Sequence, residues 1–199
     1  MAFSLIRKLR YGTPVIVVSG LPRSGTSMAM KMLEAGGIEI VTDGIRTADE
    51  DNPKGYYELE RVKNLHKDQD RTWLREARGK AVKIISFLLK SLPDENNYQV
   101  IFMNRKIAEV LASQQKMLER RGESSGVPDE KMAELFERDL KEAKFFLRRP
   151  HFEVLDIDYN EAIENSRRMA EKLTSFLGGS MDVDKMCGVV DRSLYRNRA

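Results

Sequence analysis

Two kinds of apolar spacing alternate along the chain. Residues 14–19 (Pro14, Val15, Ile16, Val17, Val18, Ser19) form a short β-branched run bounded by Pro14 and Gly20, the pattern of a strand buried on both faces. Met28, Met32, Leu33 and Ala35 then recur at helical spacing, and Gly36-Gly37 ends that helix. Four more short apolar runs read as strands: 38–41, 81–85, 100–103 and 152–157. Residues 56–78 read as a charged helix with Leu59, Val62, Leu65, Trp73 and Leu74 turned inward. A third helix face runs through Ile107, Val110, Leu111, Gln114, Met117 and Leu118. Pro128 opens a fourth helix, with Asp129 and Glu130 in the first turn, where the helix dipole favours acids. Its apolar face is Met132, Leu135, Phe136, Leu140, Ala143 and Leu147. Ala162, Ile163, Met169, Ala170, Leu173, Phe176 and Leu177 mark a last long helix closed by Gly178-Gly179. Polar loops fill 42–55 and 122–127. Strands alternating with helices predict one α/β domain over residues 1–199, a mainly parallel sheet flanked by helices. Ligands of such sheets bind beyond the carboxyl ends of the strands.

Composition narrows the classes. Of 199 residues, 41% are hydrophobic and 33% charged, which excludes collagen-like and mucin-like chains and leaves a globular protein. The 34 basic and 31 acidic residues leave +3, too even a balance to act on nucleic acid by field alone. A single cysteine, Cys187, excludes an internal disulfide and a cysteine zinc site, and fits a reducing compartment. The apolar stretches at 15–18 and 84–89 fall short of the ~20 residues a spanning helix needs. The first ten residues carry Arg7, Lys8 and Arg10 with no apolar stretch after them, so they do not read as a signal peptide. These features lead us to expect a cytoplasmic protein whose partners are neither nucleic acid nor membrane.

The chemistry concentrates in Gly20-Leu21-Pro22-Arg23-Ser24-Gly25-Thr26-Ser27, between a predicted strand and a predicted helix. Amides at a helix start point outward where the dipole is positive, so this context makes a glycine-rich turn an anion cradle. Gly25 allows close approach of the backbone. Ser24, Thr26 and Ser27 add hydroxyls, and Arg23 adds a fixed cation with paired N–H donors. The spacing is that of an ATP-type phosphate loop, but Thr26 stands where that loop carries its lysine.

The Pro-Arg-Ser-Gly-Thr-Ser string resembles the 5′-phosphosulfate loop of sulfotransferases that use 3′-phosphoadenosine 5′-phosphosulfate (PAPS). Two further segments extend the likeness. Val100 to Met103 leads to Asn104-Arg105, with Ser113 eight positions after Arg105, the family's spacing for a 3′-phosphate site. The segment from Val154 to Ile163 and the later Phe176-Leu177-Gly178 are similar to the family's late strand, turn and helix end. The resemblance implies a sulfotransferase-like P-loop fold and PAPS as co-substrate, with no metal. It implies donor contacts from Arg23, Ser24, Gly25, Thr26, Ser27, Arg105 and Ser113, and a basic tail whose Arg196 reaches the 3′-phosphate. The reaction implied is sulfuryl transfer to a hydroxyl or amine on a small-molecule or glycan-like acceptor.

The chain departs from the family at the base. Lys83 stands about where cytosolic sulfotransferases carry a lysine followed two residues later by the catalytic histidine, and that later position is Ile85. Asn52-Pro53-Lys54-Gly55-Tyr56-Tyr57-Glu58 is similar to a segment of bacterial sulfotransferase-like proteins and offers Glu58 as base, with a surface glutamate as the plainer reading. The expected catalytic set is therefore Arg23, Glu58 and Lys83. His66 reads as a surface histidine, and His151 receives no role. Two rival functions remain. If Asp156 or Asp158 closes a strand as a metal aspartate, the loop belongs to an ATP-dependent small-molecule kinase. If the base has been lost, the chain is a nucleotide-binding regulatory protein of the same fold.

Overall fold

A computed structural model describes residues 2–45 and 57–191, the side chains of 2–5 excepted. Residues 52–56 of the Asn-Pro segment, and the C-terminal tail with Arg196, lie outside the described residues. Four strands, β1 (Val15–Gly20), β2 (Ala81–Lys83), β3 (Tyr98–Asn104) and β4 (Phe152–Asp158), pair in parallel in the order β2-β1-β3-β4. β1 is central, and all six of its residues are buried, which explains its unbroken apolar run.

Period-two alternation sorts the strand side chains onto two faces. Val15, Val17, Val82, Ile84, Tyr98, Val100, Phe102 and Phe152 share one core with Leu65, Trp73, Leu74, Leu89 and Phe146. Phe146 belongs to α6 (Asp129–Phe146), and Leu89 to a 3₁₀ turn over Ser86–Ser91. Ile16, Val18, Ala81, Ile101, Met103 and Ile157 share the other core with residues of four helices. These are α2 (Thr26–Ala35), α7 (Tyr159–Glu164), α8 (Ser166–Leu177) and α9 (Val183–Gly188). The chain leaves β1 toward β2 and returns past it to β3. The order therefore reverses between β1 and β3, and a crevice opens beyond their carboxyl ends. The loop after β1 and the helix α5 (Ile107–Arg121) after β3 both rise from that crevice.

Four of the five expected strands form. Residues 38–41 instead make a single bridge, Ile40 to Ala81, framed by Ala81 N–H to Glu39 and Val41 N–H to Ala81. Beyond it the chain turns away, because the Thr42 hydroxyl takes the Glu58 carbonyl at 2.8 Å. The long helix expected over 56–78 is two single turns, α3 (Glu60–Lys63) and α4 (Trp73–Glu76). Asp68 and Asp70 accept backbone amides two residues on, and these local bonds displace helix between the turns. Val62, Leu65, Trp73 and Leu74 are nevertheless buried as their spacing requires. The last helix divides at Asn165, whose backbone (φ −125°, ψ 57°) is not helical, into α7 (Tyr159–Glu164) and α8. The helix α1 (Ala2–Tyr11), the 3₁₀ turn and α9 were not anticipated. Among the described residues no helix is long and apolar enough to cross a membrane.

His151 lies buried at the amino end of the sheet, against the rings of Tyr11, Tyr98 and Phe152. Burial holds its pKa below the ordinary 6.5; Asp94 opposes this and Arg149 adds to it. A buried imidazole kept neutral stabilises the fold fully above pH 6.5, and that contribution is lost as pH falls through the depressed folded value, because the unfolded chain takes the proton first. Melting temperature should therefore fall with acidification below 6.5, and His151→Phe should flatten that part of the profile. Parallel profiles for the two proteins would assign the acid sensitivity to other groups.

Candidate functional site

The loop from Gly20 to Ser27 is fixed by contacts that only small residues allow. At Gly20 (φ +145°) an added Cβ would sit 2.5 Å from the Met103 carbonyl oxygen, so the end of β1 touches the backbone of β3. At Gly25 (φ +98°), which caps α2, an added Cβ would run into the Tyr159 ring. Arg23 holds a left-handed backbone (φ 68°), unusual for a residue with a side chain. The left-handed Arg23 and Gly25 bracket Ser24, a geometry that turns successive amides into one concavity at the start of α2. The Ser24 hydroxyl is buried there and finds no hydrogen-bond partner among the described residues. An orphaned hydroxyl, outward amides and the first-turn hydroxyls of Thr26 and Ser27 suit the oxygens of a phosphate or sulfate group.

Three cations surround this concavity. Arg23 donates from Nε to the Ser113 hydroxyl at 3.1 Å, and its Nη1 lies 3.9 Å from the Met117 sulfur. Lys83, at the end of β2, donates to the Ser27 hydroxyl at 3.3 Å. The Arg105 side chain is only 5% exposed. It donates from Nη1 to the Arg23 carbonyl at 2.9 Å and from Nε to Glu109 at 3.0 Å, and its guanidinium lies 4.3 Å above the Tyr159 ring. Glu109 is fully buried and also accepts from Asn160 Nδ2 at 3.2 Å.

The structure thus gathers Arg23, Ser24, Gly25, Thr26, Ser27, Lys83, Arg105 and Ser113 around one crevice. Glu58 lies beside Thr42, just past the bridge from Ile40 to β2. Thr42 and Asp43 hold the backbone around it, and its carboxylate lies 4.0 Å from Lys63 Nζ. His66, Arg120 and Arg121 are exposed. Of the rival metal aspartates, Asp158 caps α7 through the amides of Asn160 and Glu161, and Asp156 pairs with Lys144. The sequence does not single out Glu109, and it brings in Tyr159 and Asn160 only within the segment from Val154 to Ile163. The i,i+4 spacing of Arg105 and Glu109 was the available signal.

No protein-family model and none of the curated proteins matches the chain significantly. Solved structures do. A sulfotransferase domain from the curacin biosynthetic pathway superposes with a TM-score of 0.55 at 14% identity, covering 94% of this chain and 92% of that one. The sulfotransferase domain of the Synechococcus PCC 7002 olefin synthase gives 0.55 at 15% identity, over 94% and 88%. A sulfotransferase from Alicyclobacillus acidocaldarius gives 0.51 at 15%, over 85% and 84%. The chain therefore has a sulfotransferase-like P-loop fold, a four-stranded parallel sheet flanked by helices.

The buried Arg105–Glu109 pair yields a stability test. Glu109→Gln keeps the shape and leaves Arg105 buried without its counter-charge, which should cost about 3–5 kcal/mol in denaturant unfolding. The double replacement Arg105→Met with Glu109→Leu should cost less, since it removes both charges. If the single and double variants prove equally unstable, or Glu109→Gln costs nothing, the pair does not hold the crevice.

Proposed function

We propose that the protein transfers a sulfuryl group from PAPS to a hydroxyl or amine acceptor. The observation that carries the reading is the joining of the loop to the β3–α5 junction: Ser113 takes the Arg23 side chain, and Arg105 takes the Arg23 carbonyl. A ligand with anionic groups at two separated points, one over the loop and one at the α5 end, matches that layout. PAPS has this form, with a phosphosulfate at one end and a 3′-phosphate at the other.

In this reading the loop amides, Ser24, Thr26, Ser27 and Arg23 grip the phosphosulfate, and Arg105 and Ser113 bind the 3′-phosphate. The acceptor oxygen or nitrogen forms a bond to sulfur, and the bond from sulfur to the 5′-phosphate oxygen breaks. The electron pair leaves on that phosphate, where Arg23 and Lys83 stabilise the developing charge. Glu58 takes the acceptor proton. The products are the sulfated acceptor and 3′-phosphoadenosine 5′-phosphate. Arg196 adds a contact to the 3′-phosphate, and the whole chain acts as one domain.

Two measurements test the reading. The protein should bind 3′-phosphoadenosine 5′-phosphate at least tenfold (~1.4 kcal/mol) more tightly than 5′-AMP in calorimetry. Equal affinities would remove the 3′-phosphate site, and tighter binding of Mg-ATP would favour a kinase. Glu58→Gln should leave bisphosphate affinity intact and slow transfer of radiolabelled sulfate by about 10²-fold or more. Full activity in that variant would return Glu58 to an ordinary surface role. Tight donor binding by the wild type with no transfer to any of a broad panel of alcohols and amines would favour a regulatory protein.

A further inference from the structure

We infer that α1 and the turn before β4 form a docking surface for an anionic lipid bilayer, at the end of the sheet opposite the donor crevice. This inference is independent of the proposed sulfuryl transfer. It starts from how α1 is attached. Arg7 reaches the protein, donating to the Phe152 carbonyl at 3.0 Å and pairing with Glu153, and Tyr11 packs edge-on against buried His151. The helix is thus held by a cationic and an aromatic residue, and Ile6 and Leu9 point away. Leu9 is 81% and Ile6 59% exposed, and both are among the few large apolar side chains that the described structure leaves in water.

The surroundings of this apolar face are cationic. Lys8 and Arg10 lie in the last turn of α1, which contains no acid. The chain just before Phe152, the residue that anchors Arg7, carries exposed Arg148 and Arg149 and Phe145, which is 75% exposed. Of the acids on this side, Glu153 pairs with Arg7 and Asp94 with Arg149, and exposed Glu95 beside Asp94 is outnumbered by Lys8, Arg10 and Arg148. Exposed aliphatic side chains flanked by Lys and Arg fit the boundary between lipid headgroups and acyl chains, where apolar burial and attraction to anionic lipid act together. A second copy of the chain fits worse, because apposing two such faces brings like charges together. A helix lying in the interface needs no membrane-spanning length, so the shortness of the apolar stretches does not oppose this role.

The test is co-sedimentation of the full chain with vesicles of phosphatidylcholine alone or doped with phosphatidylglycerol. Doped vesicles should bind it at least ~10-fold more tightly than neutral ones, with the preference shrinking as salt rises. Ile6→Asp with Leu9→Asp should lower binding about 10-fold or more, and Lys8→Glu with Arg10→Glu should abolish the preference for anionic lipid. All these positions are solvent-facing, so both variants should melt like the wild type and bind 3′-phosphoadenosine 5′-phosphate or 5′-AMP as it does. No binding to doped vesicles, equal binding to both kinds, or unchanged binding by the Asp variant would overturn the inference. So would a wild-type dimer in sedimentation that the Asp variant dissociates, since a second copy would then cover the face.

Discussion

The hydrogen bond from Arg105 to the Arg23 carbonyl is the constraint on which the crevice depends. Arg23 holds a left-handed backbone that an L-residue adopts only at a cost of about 1–3 kcal/mol. That cost is offset from outside the loop. Arg105 fixes the carbonyl, Ser113 fixes the side chain, and the Tyr159 ring fills the space below Gly25. Arg105 in turn is held by Glu109, and Glu109 by Asn160. The loop after β1, the helix after β3 and the turn after β4 are therefore one mechanical unit. Their shared position follows from the strand order, which sets the carboxyl ends of β1, β3 and β4 side by side.

The sheet was legible in the sequence because its signal is local. Val15 to Val18 is buried on both faces and reads as such without reference to anything else. The edges were harder. Residues 38–41 have a strand's composition, but their partner β2 is three residues long, and the Thr42 hydroxyl draws the chain toward Glu58 after one bridge. The segment 56–78 has helical spacing, yet the side chains of Asp68 and Asp70 compete for the backbone amides that a helix would use. In the second segment hydrophobic spacing picked out the buried Val62, Leu65, Trp73 and Leu74 correctly, and in both segments the backbone path differs from the one expected.

The site was legible in part for the same reason. The string from Gly20 to Ser27 carries its chemistry in consecutive residues, and Arg105 and Ser113 lie eight positions apart, just before and within the one helix α5. Glu109 pairs locally with Arg105 at i,i+4, but Asn160 acts only through the tertiary pairing of α5 with the turn after β4, which no local pattern reveals. Lys83 could be singled out from its strand, but its partner Ser27 lies 56 residues earlier. His151 looked like a loop histidine. It is buried because β3 and β4 begin side by side and enclose it between Tyr98 and Phe152.

The buried pair also decides what each end of the crevice can offer an anion. Glu109 already balances the charge of Arg105, so a phosphate arriving beside Arg105 gains directed N–H bonds more than net charge. Over the loop, the outward amides, the positive end of α2 and the cations Arg23 and Lys83 add their fields around the small Ser24 hollow. The stronger positive field therefore lies where the chain starts α2 rather than where it starts α5. In the proposed transfer, charge developing on the donor phosphate would be stabilised most at that end, while recognition by shape and hydrogen bonding would fall to the other. A division of this kind needs Glu109 as much as it needs the arginines, because without that carboxylate the two ends would attract anions with little distinction between them.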